Sequence, residues 1–134
     1  MSAGRPGGGP DPAGREPFEY ALIRVVPRVE RGEAINAGLI LYSQRHRFLD
    51  CRILLNEDRL RALDPAADVP AVLAALGALG EGCHAGRPAE EPLGVRFRWL
   101  TAPRSTIVQP SPVHSGLTAD PAAELARLFE ELVR

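Results

Sequence analysis

Residues 18–26 gather Tyr20, Leu22, Ile23, Val25 and Val26 into one short run between Pro17 and Pro27. Side chains at successive positions of a strand point to opposite faces, so apolar residues at both odd and even positions predict a central strand covered on both sides. Proline has no N–H to give to a ladder, and Pro27 therefore ends the strand. After a polar connection, residues 33–42 place Ile35, Ala37, Leu39 and Leu41 on one face and Asn36, Gly38, Ile40 and Tyr42 on the other. A turn at 43–46 returns the chain into a third strand over 47–55, with Leu49, Cys51, Ile53 and Leu55 sharing a face. Short connections between consecutive strands predict an antiparallel meander.

The period then changes. Asn56 before Glu57 and Asp58 is an N-cap with acidic residues in the first turn, which opens a short helix to Leu63. Asp68 and Pro70 open a second helix, where Val72, Leu76 and Leu79 recur at helical spacing. Gly77 and Gly80 weaken it by about 1 kcal/mol each relative to Ala, and close packing on the sheet is the expected reason for them. Residues 82–94 read as a Gly, Pro and Glu-rich loop. Over 95–99, Val95, Phe97 and Trp99 alternate with Arg96 and Arg98, which predicts a strand with its aromatics in the core and its arginines in water. A further short strand is expected over 105–109, followed by a proline-bearing loop over 110–118. Asp120 and Pro121 then start a last helix with Leu125, Leu128, Phe129 and Leu132 on one face, and Glu130 pairs with Arg134 four residues on.

These elements add up to an α+β domain over 18–134. It is expected to be an antiparallel sheet of about four or five strands packed on one side against two or three helices. Residues 1–17 hold repeated Gly and Pro without an apolar run, the composition of a disordered tail.

Composition changes the picture mainly by exclusion. A chain of 134 residues with 45% hydrophobic and 25% charged residues suits one globular domain. Every basic side chain is Arg, because no Lys occurs, and with abundant Ala, Gly and Pro this suggests a GC-rich bacterial gene. A net charge of -1 makes no field that would draw the chain to nucleic acid or an anionic membrane. No segment approaches the roughly 18 consecutive apolar residues of a membrane span, and residues 1–17 lack a signal peptide's apolar core, so a cytoplasmic protein is expected. Cys51 and Cys83 have no CxxC spacing and are expected to be reduced thiols. Their placement with His84 and His114 does not form a metal set. Neither GxxxxGK[ST] nor GxGxxG occurs, and no cofactor is expected. Without a GxSxG elbow or an Asp to orient His114, a hydrolase triad is not supported.

Two polar clusters remain as candidate chemistry. Arg24 is the lone charge in an apolar strand, and a buried guanidinium needs a carboxylate, a bound anion or an exit to water. Either Arg24 and Glu33 form an ion pair that fixes strand register, or Arg24 and Arg31 grip an anion with Asn36 hydrogen-bonding beside them. The second cluster is the polar stretch with Arg104, Ser105, Gln109 and His114, a segment of the kind that builds binding sites or simply sets turns. The candidate ligand-binding residues are thus Arg24, Arg31, Glu33, Asn36, Arg104, Ser105, Gln109 and His114. Lacking a nucleophile or metal set, they favour a non-catalytic binding or accessory module for a protein partner or an anionic ligand. The alternative is a small enzyme with Glu33 as acid or base and Arg24, Arg104 and His114 holding an anionic substrate, which requires those four to share one cleft.

The run Tyr20-Ala-Leu-Ile-Arg24-Val-Val-Pro27, then Arg31-Gly32-Glu33-Ala-Ile-Asn36-Ala-Gly38, with Pro103-Arg104-Ser105-Thr-Ile-Val-Gln109 and Leu128-Phe129-Glu-Glu-Leu132-Val133, resembles the bacterial family called domain of unknown function 3037. The resemblance covers the chain from Tyr20 onward. It implies a single small domain without an assigned reaction. By analogy it also implies companionship with a larger, kinase-like protein encoded nearby.

Overall fold

The computed structural model describes residues 14–84 and 92–134, so residues 1–13 of the expected tail and residues 85–91 of the expected loop lie outside the described residues. Strand β1 spans Glu16–Val25, β2 Ile35–Ser43 and β3 Phe48–Ile53. β1 therefore begins at Glu16, inside the stretch expected to be tail. The three form the predicted antiparallel meander, with Leu22 opposite Leu39 and Ile40 opposite Cys51. A register shift between Ile23 and Arg24 brings Arg24 opposite Asn36.

Helices α1 (Glu57–Leu63) and α2 (Val69–Gly82) follow, each capped as the sequence predicts. The Asn56 side chain accepts a hydrogen bond from the Arg59 amide, and the Asp68 side chain accepts one from the Ala71 amide. The expected close packing holds at Gly80, where a Cβ would lie 3.0 Å from Ile53 Cδ1, but not at Gly77, which faces open space.

Residues 95–99 are not a strand. They belong to helix α3, Leu93–Leu100. The alternation of apolar and basic residues hid a second pattern: Leu93, Phe97 and Leu100 are spaced four and three apart and form one helical face on the sheet. Phe97 is fully buried and stacks on Tyr42 with ring centroids 5.2 Å apart. Trp99, expected in the core with it, points the other way and is 62% exposed. A Cβ at Gly94 would sit 2.7 Å from the Tyr42 hydroxyl, so glycine is what lets α3 approach the sheet this closely.

Strand β4 is Val108–Pro110, later and shorter than the strand expected over 105–109. Strand β5, His114–Thr118, lies where a loop was expected. Its outward residues are His114, Ser115 and Leu117, so it carries no apolar alternation by which it could be recognised. β4 and β5 together occupy one position in the sheet. β4 pairs with the C-terminal part of β1 and β5 with its N-terminal part. Between the pairs Tyr20 with His114 and Ile23 with Pro110, two residues of β1 face three on the other side, the signature of a bulge. Ser111 closes the gap: its amide donates to the Leu22 carbonyl at 2.8 Å, and its Oγ accepts from the Leu22 amide at 2.8 Å. A side chain thus supplies the ladder acceptor that a backbone carbonyl would otherwise provide.

The last helix, α4 (Pro121–Leu132), starts at the Asp120 cap and presents Leu125, Leu128 and Phe129 to the core as expected. The helices do not share one side of the sheet. Leu39 and Leu41 pack with Phe18 under α4, whereas Ile40 and Tyr42, which alternate with them, pack with Phe97 and Leu100 of α3. α2 joins that second side through Val72 and Leu76, which meet Ile23 and Val25. The architecture is three layers, with α4 on one face and α2 and α3 on the other. No described helix is long and apolar enough to cross a membrane.

Two outcomes test this account. Ser111→Ala leaves the Leu22 amide without its acceptor and should cost about 1–3 kcal/mol in urea unfolding. Phe97→Ala should cost about 3–5 kcal/mol, whereas Trp99→Ala should cost about 1 kcal/mol or less. Similar losses for the two aromatics would restore the strand assignment.

Candidate functional site

The structure divides the candidate residues among four places. The first is a polar row across the sheet: Asn36, Arg24 and Gln109 are direct neighbours on β2, β1 and β4. Directly opposed residues share a face, and here it is the face of α4, because the Asn36 amide donates to the Leu132 carbonyl at 3.0 Å. Arg24 is half-buried, and no described side chain forms a hydrogen bond or ion pair with its guanidinium.

Glu33 is not the partner of Arg24. It bonds Arg31 at 2.9 Å in an exposed connection, and the Arg31 guanidinium holds its carboxyl below the usual range while Glu33 raises Arg31 in return. Glu30 is likewise held low, first by its own backbone amide and then by Arg28, whose side chain donates to it at 2.8 Å. Each acid of this turn is matched to a neighbour two residues away, which is why neither reaches into the sheet.

His114 occupies the third place. It is exposed on β5 opposite Tyr20, its ring centroid 5.3 Å from the tyrosine's. Ile35 lies opposite Val25, so the His114 and Ile35 pairs are separated along β1 by roughly 17 Å at about 3.3 Å per residue. Glu33 lies beyond Ile35. The convergence of Glu33, Arg24, Arg104 and His114 that an acid–base site would require is absent.

Arg104 belongs to a different concavity, on the opposite face of the sheet. A cavity of about 390 Å³ opens between α2 and α3, walled by Ala75, Ala78, Leu79 and Gly82 on one side and by Arg96, Trp99 and Leu100 on the other. Arg104, Thr106 and Val108 close it below, and no carboxylate lines it among the described residues. The Arg104 Nη2 donates to the Trp99 carbonyl at 2.9 Å and its Nε to the Ala102 carbonyl at 3.3 Å. These bonds hold the guanidinium carbon 5.7 Å from the Trp99 ring centroid, a cation–π contact at the C-terminal end of α3. Carbonyl dipoles orient a guanidinium without cancelling its charge. Ser105 is exposed beside it.

A second cavity of about 410 Å³ lies on the other side of α3, but its cation is already matched: Arg98 donates to Glu19 at 2.7 Å, and that carboxylate raises its pKa. The two clefts are similar in size, but Arg98 is matched to Glu19 whereas no described carboxylate pairs with Arg104, which makes the α2–α3 cleft the better candidate anion receptor. Trp99 is the residue that reading the sequence missed. The available signal was the spacing of Leu93, Phe97 and Leu100, which turns Trp99 outward once the segment is read as a helix. Among the described residues, no group of three or more His, Cys, Asp or Glu side chains is placed to hold a metal.

The chain belongs to the family described as protein of unknown function DUF3037, whose profile matches residues 20–133. No curated protein and no solved structure matches it.

Removing one partner of a buried ion pair costs about 3–5 kcal/mol. Arg24 has no such partner among the described residues, so Arg24→Met should leave urea stability unchanged or raise it by about 1 kcal/mol at most, and Glu33→Gln should leave the midpoint where it is. A large loss from both substitutions would reinstate the pair.

Proposed function

We propose that this chain is a binding or accessory module without catalysis of its own, and that its α2–α3 cleft receives an acidic segment of a protein partner. The observation that carries the reading is the stacked pair of Trp99 and Arg104 in a concave site. An exposed tryptophan offers a large rigid contact, and the arginine beside it has no carboxylate paired with it among the described residues. Tryptophan and arginine are the residue types that most often dominate interface energetics, because both bury large area and arginine binds carboxylates bidentately. The cleft volume matches one or two side chains of a partner, not an extended surface.

A partner adds what the site lacks. A carboxylate set against Arg104 neutralises a charge that carbonyls only orient, and an apolar neighbour of that carboxylate covers Trp99, Leu79 and Ala75. The α4-side row of Arg24, Asn36 and Gln109 offers a second point of contact for a partner large enough to reach both faces. In this reading the module works in the bacterial cytoplasm beside a kinase-like protein encoded nearby. The family analogy and the arginine-only composition support that setting.

Trp99 is the single tryptophan of the chain, so its emission reports on the cleft directly. Co-expression with the products of adjacent genes should recover a complex, and mixing the two purified proteins should shift that emission. Arg104→Glu and Trp99→Ala should each weaken the complex at least about tenfold while the chain stays folded. Undiminished recovery of the partner by both variants would remove the cleft from the interface.

A further inference from the structure

Two thiols meet on the α2–α3 side of the sheet, where α2 ends. Cys51 sits on β3, the edge strand, opposite Ile40, and Cys83 caps the C-terminal end of α2. Both pack in the cluster around Phe97 and Leu100, with Cys83 fully buried and Cys51 partly exposed. Their side chains are within hydrogen-bonding reach of each other.

The flanking residues touch as well. Asp50 precedes Cys51 and His84 follows Cys83, and the His84 Nε2 lies 3.2 Å from Asp50 Oδ1. The same Asp50 oxygen accepts the Cys51 amide at 2.8 Å. The His84–Asp50 contact joins the residues that flank the two cysteines, beside the apolar packing that Cys51 and Cys83 share.

We propose that Cys51 and Cys83 form a reversible oxidation site, in which a peroxide joins them as a disulfide that staples the end of α2 to edge strand β3. The chemistry assigns the sulfurs unequal roles. Cys51 is the one that solvent reaches, and the hydrogen bond from Cys83 lowers its pKa against the opposing effects of burial and the Asp50 carboxylate. The thiolate is the attacking form. The Cys51 sulfur attacks one peroxide oxygen, the O–O bond breaks, and the sulfur becomes a sulfenic acid while the departing oxygen leaves as water after taking a proton. The Cys83 sulfur then attacks the Cys51 sulfur, the S–O bond breaks, and the Cys83 thiol proton leaves with the hydroxyl as a second water. The peroxide is reduced by two electrons and the thiol pair is oxidised by two. An external dithiol reverses the step by exchange.

Apolar packing alone would leave two inert thiols, and the experiment separates the cases. The full chain is equilibrated in glutathione redox buffers, folded and in urea, and the internal disulfide is measured by intact mass as the loss of two hydrogens and by peptide mapping. The effective concentration of the two thiols for each other should be at least about tenfold higher in the folded chain. Peroxide should give the same cross-link, and Cys83→Ser should instead leave a Cys51 sulfenic acid that dimedone captures. An effective concentration no higher in the folded chain than in urea overturns the proposal, and so does peroxide treatment of the folded wild type that yields no Cys51–Cys83 cross-link. Both readings use the wild-type chain and stand if the serine variant fails to fold.

Discussion

β1 is constrained in four directions at once. β2 holds one edge, β4 and β5 share the other, α4 covers one face, and α2 with α3 covers the opposite face. A strand apolar on both sides has no stable place at a surface, because exposure of either face leaves hydrophobic area in water. The three-layer arrangement follows from that one requirement. At the bulge across from Ala21 and Leu22 the Ser111 hydroxyl completes the pairing, so the partly buried Leu22 amide keeps an acceptor.

The same enclosure explains the behaviour of Arg24. On a strand this crowded, a cation survives where a layer ends, and the row of Asn36, Arg24 and Gln109 lies where α4 finishes at Leu132. Its partners across the sheet are two neutral amides, and one of them, Asn36, bonds a carbonyl at the end of α4, where the helix dipole favours positive charge. Register there is set by backbone pairing and the Asn36 bond to α4, with no ion pair involved. The acids of the following turn are held by arginines two residues away, a shorter reach with less side-chain entropy to lose.

Much of the fold was readable because some signals have one interpretation. A doubly apolar run between prolines, as in 18–26, fits a buried strand, and Asp or Asn before a helical period is a cap whose side chain serves the exposed amides. The segment 93–100 was ambiguous because Val-Arg-Phe-Arg-Trp alternates at a strand's period while Leu93, Phe97 and Leu100 keep a helix's. Tertiary context decided it: β1 had both edges filled, so a further apolar segment gained more by lying across β2 and β3 as a helix. β5 was unreadable for the opposite reason, since backbone pairing to β1 holds it and its side chains carry little pattern. Of the candidate site, the row of Arg24 and Asn36 was foreseeable from strand pairing. The cleft was not, because its defining residue, Trp99, changes sides with the secondary structure assigned to it.

The cleft and the thiol pair are linked through one helix. α2 supplies the wall from Ala75 to Gly82 and ends at Cys83. Its sequence is poor in anchoring side chains: its first turn holds no acid, its last turn no base, and three of its residues, Gly77, Gly80 and Gly82, are glycine. What holds it is Val69, Val72 and Leu76 along one face and the contact between Cys83 and β3 at its end. The end nearest the thiols lies close on its neighbours, with Gly80 against Ile53, Gly82 against Leu100 and Cys83 fully buried. A covalent tie there would act directly beside the cleft, because Gly82 lines its wall and Cys83 follows as the cap of the same helix.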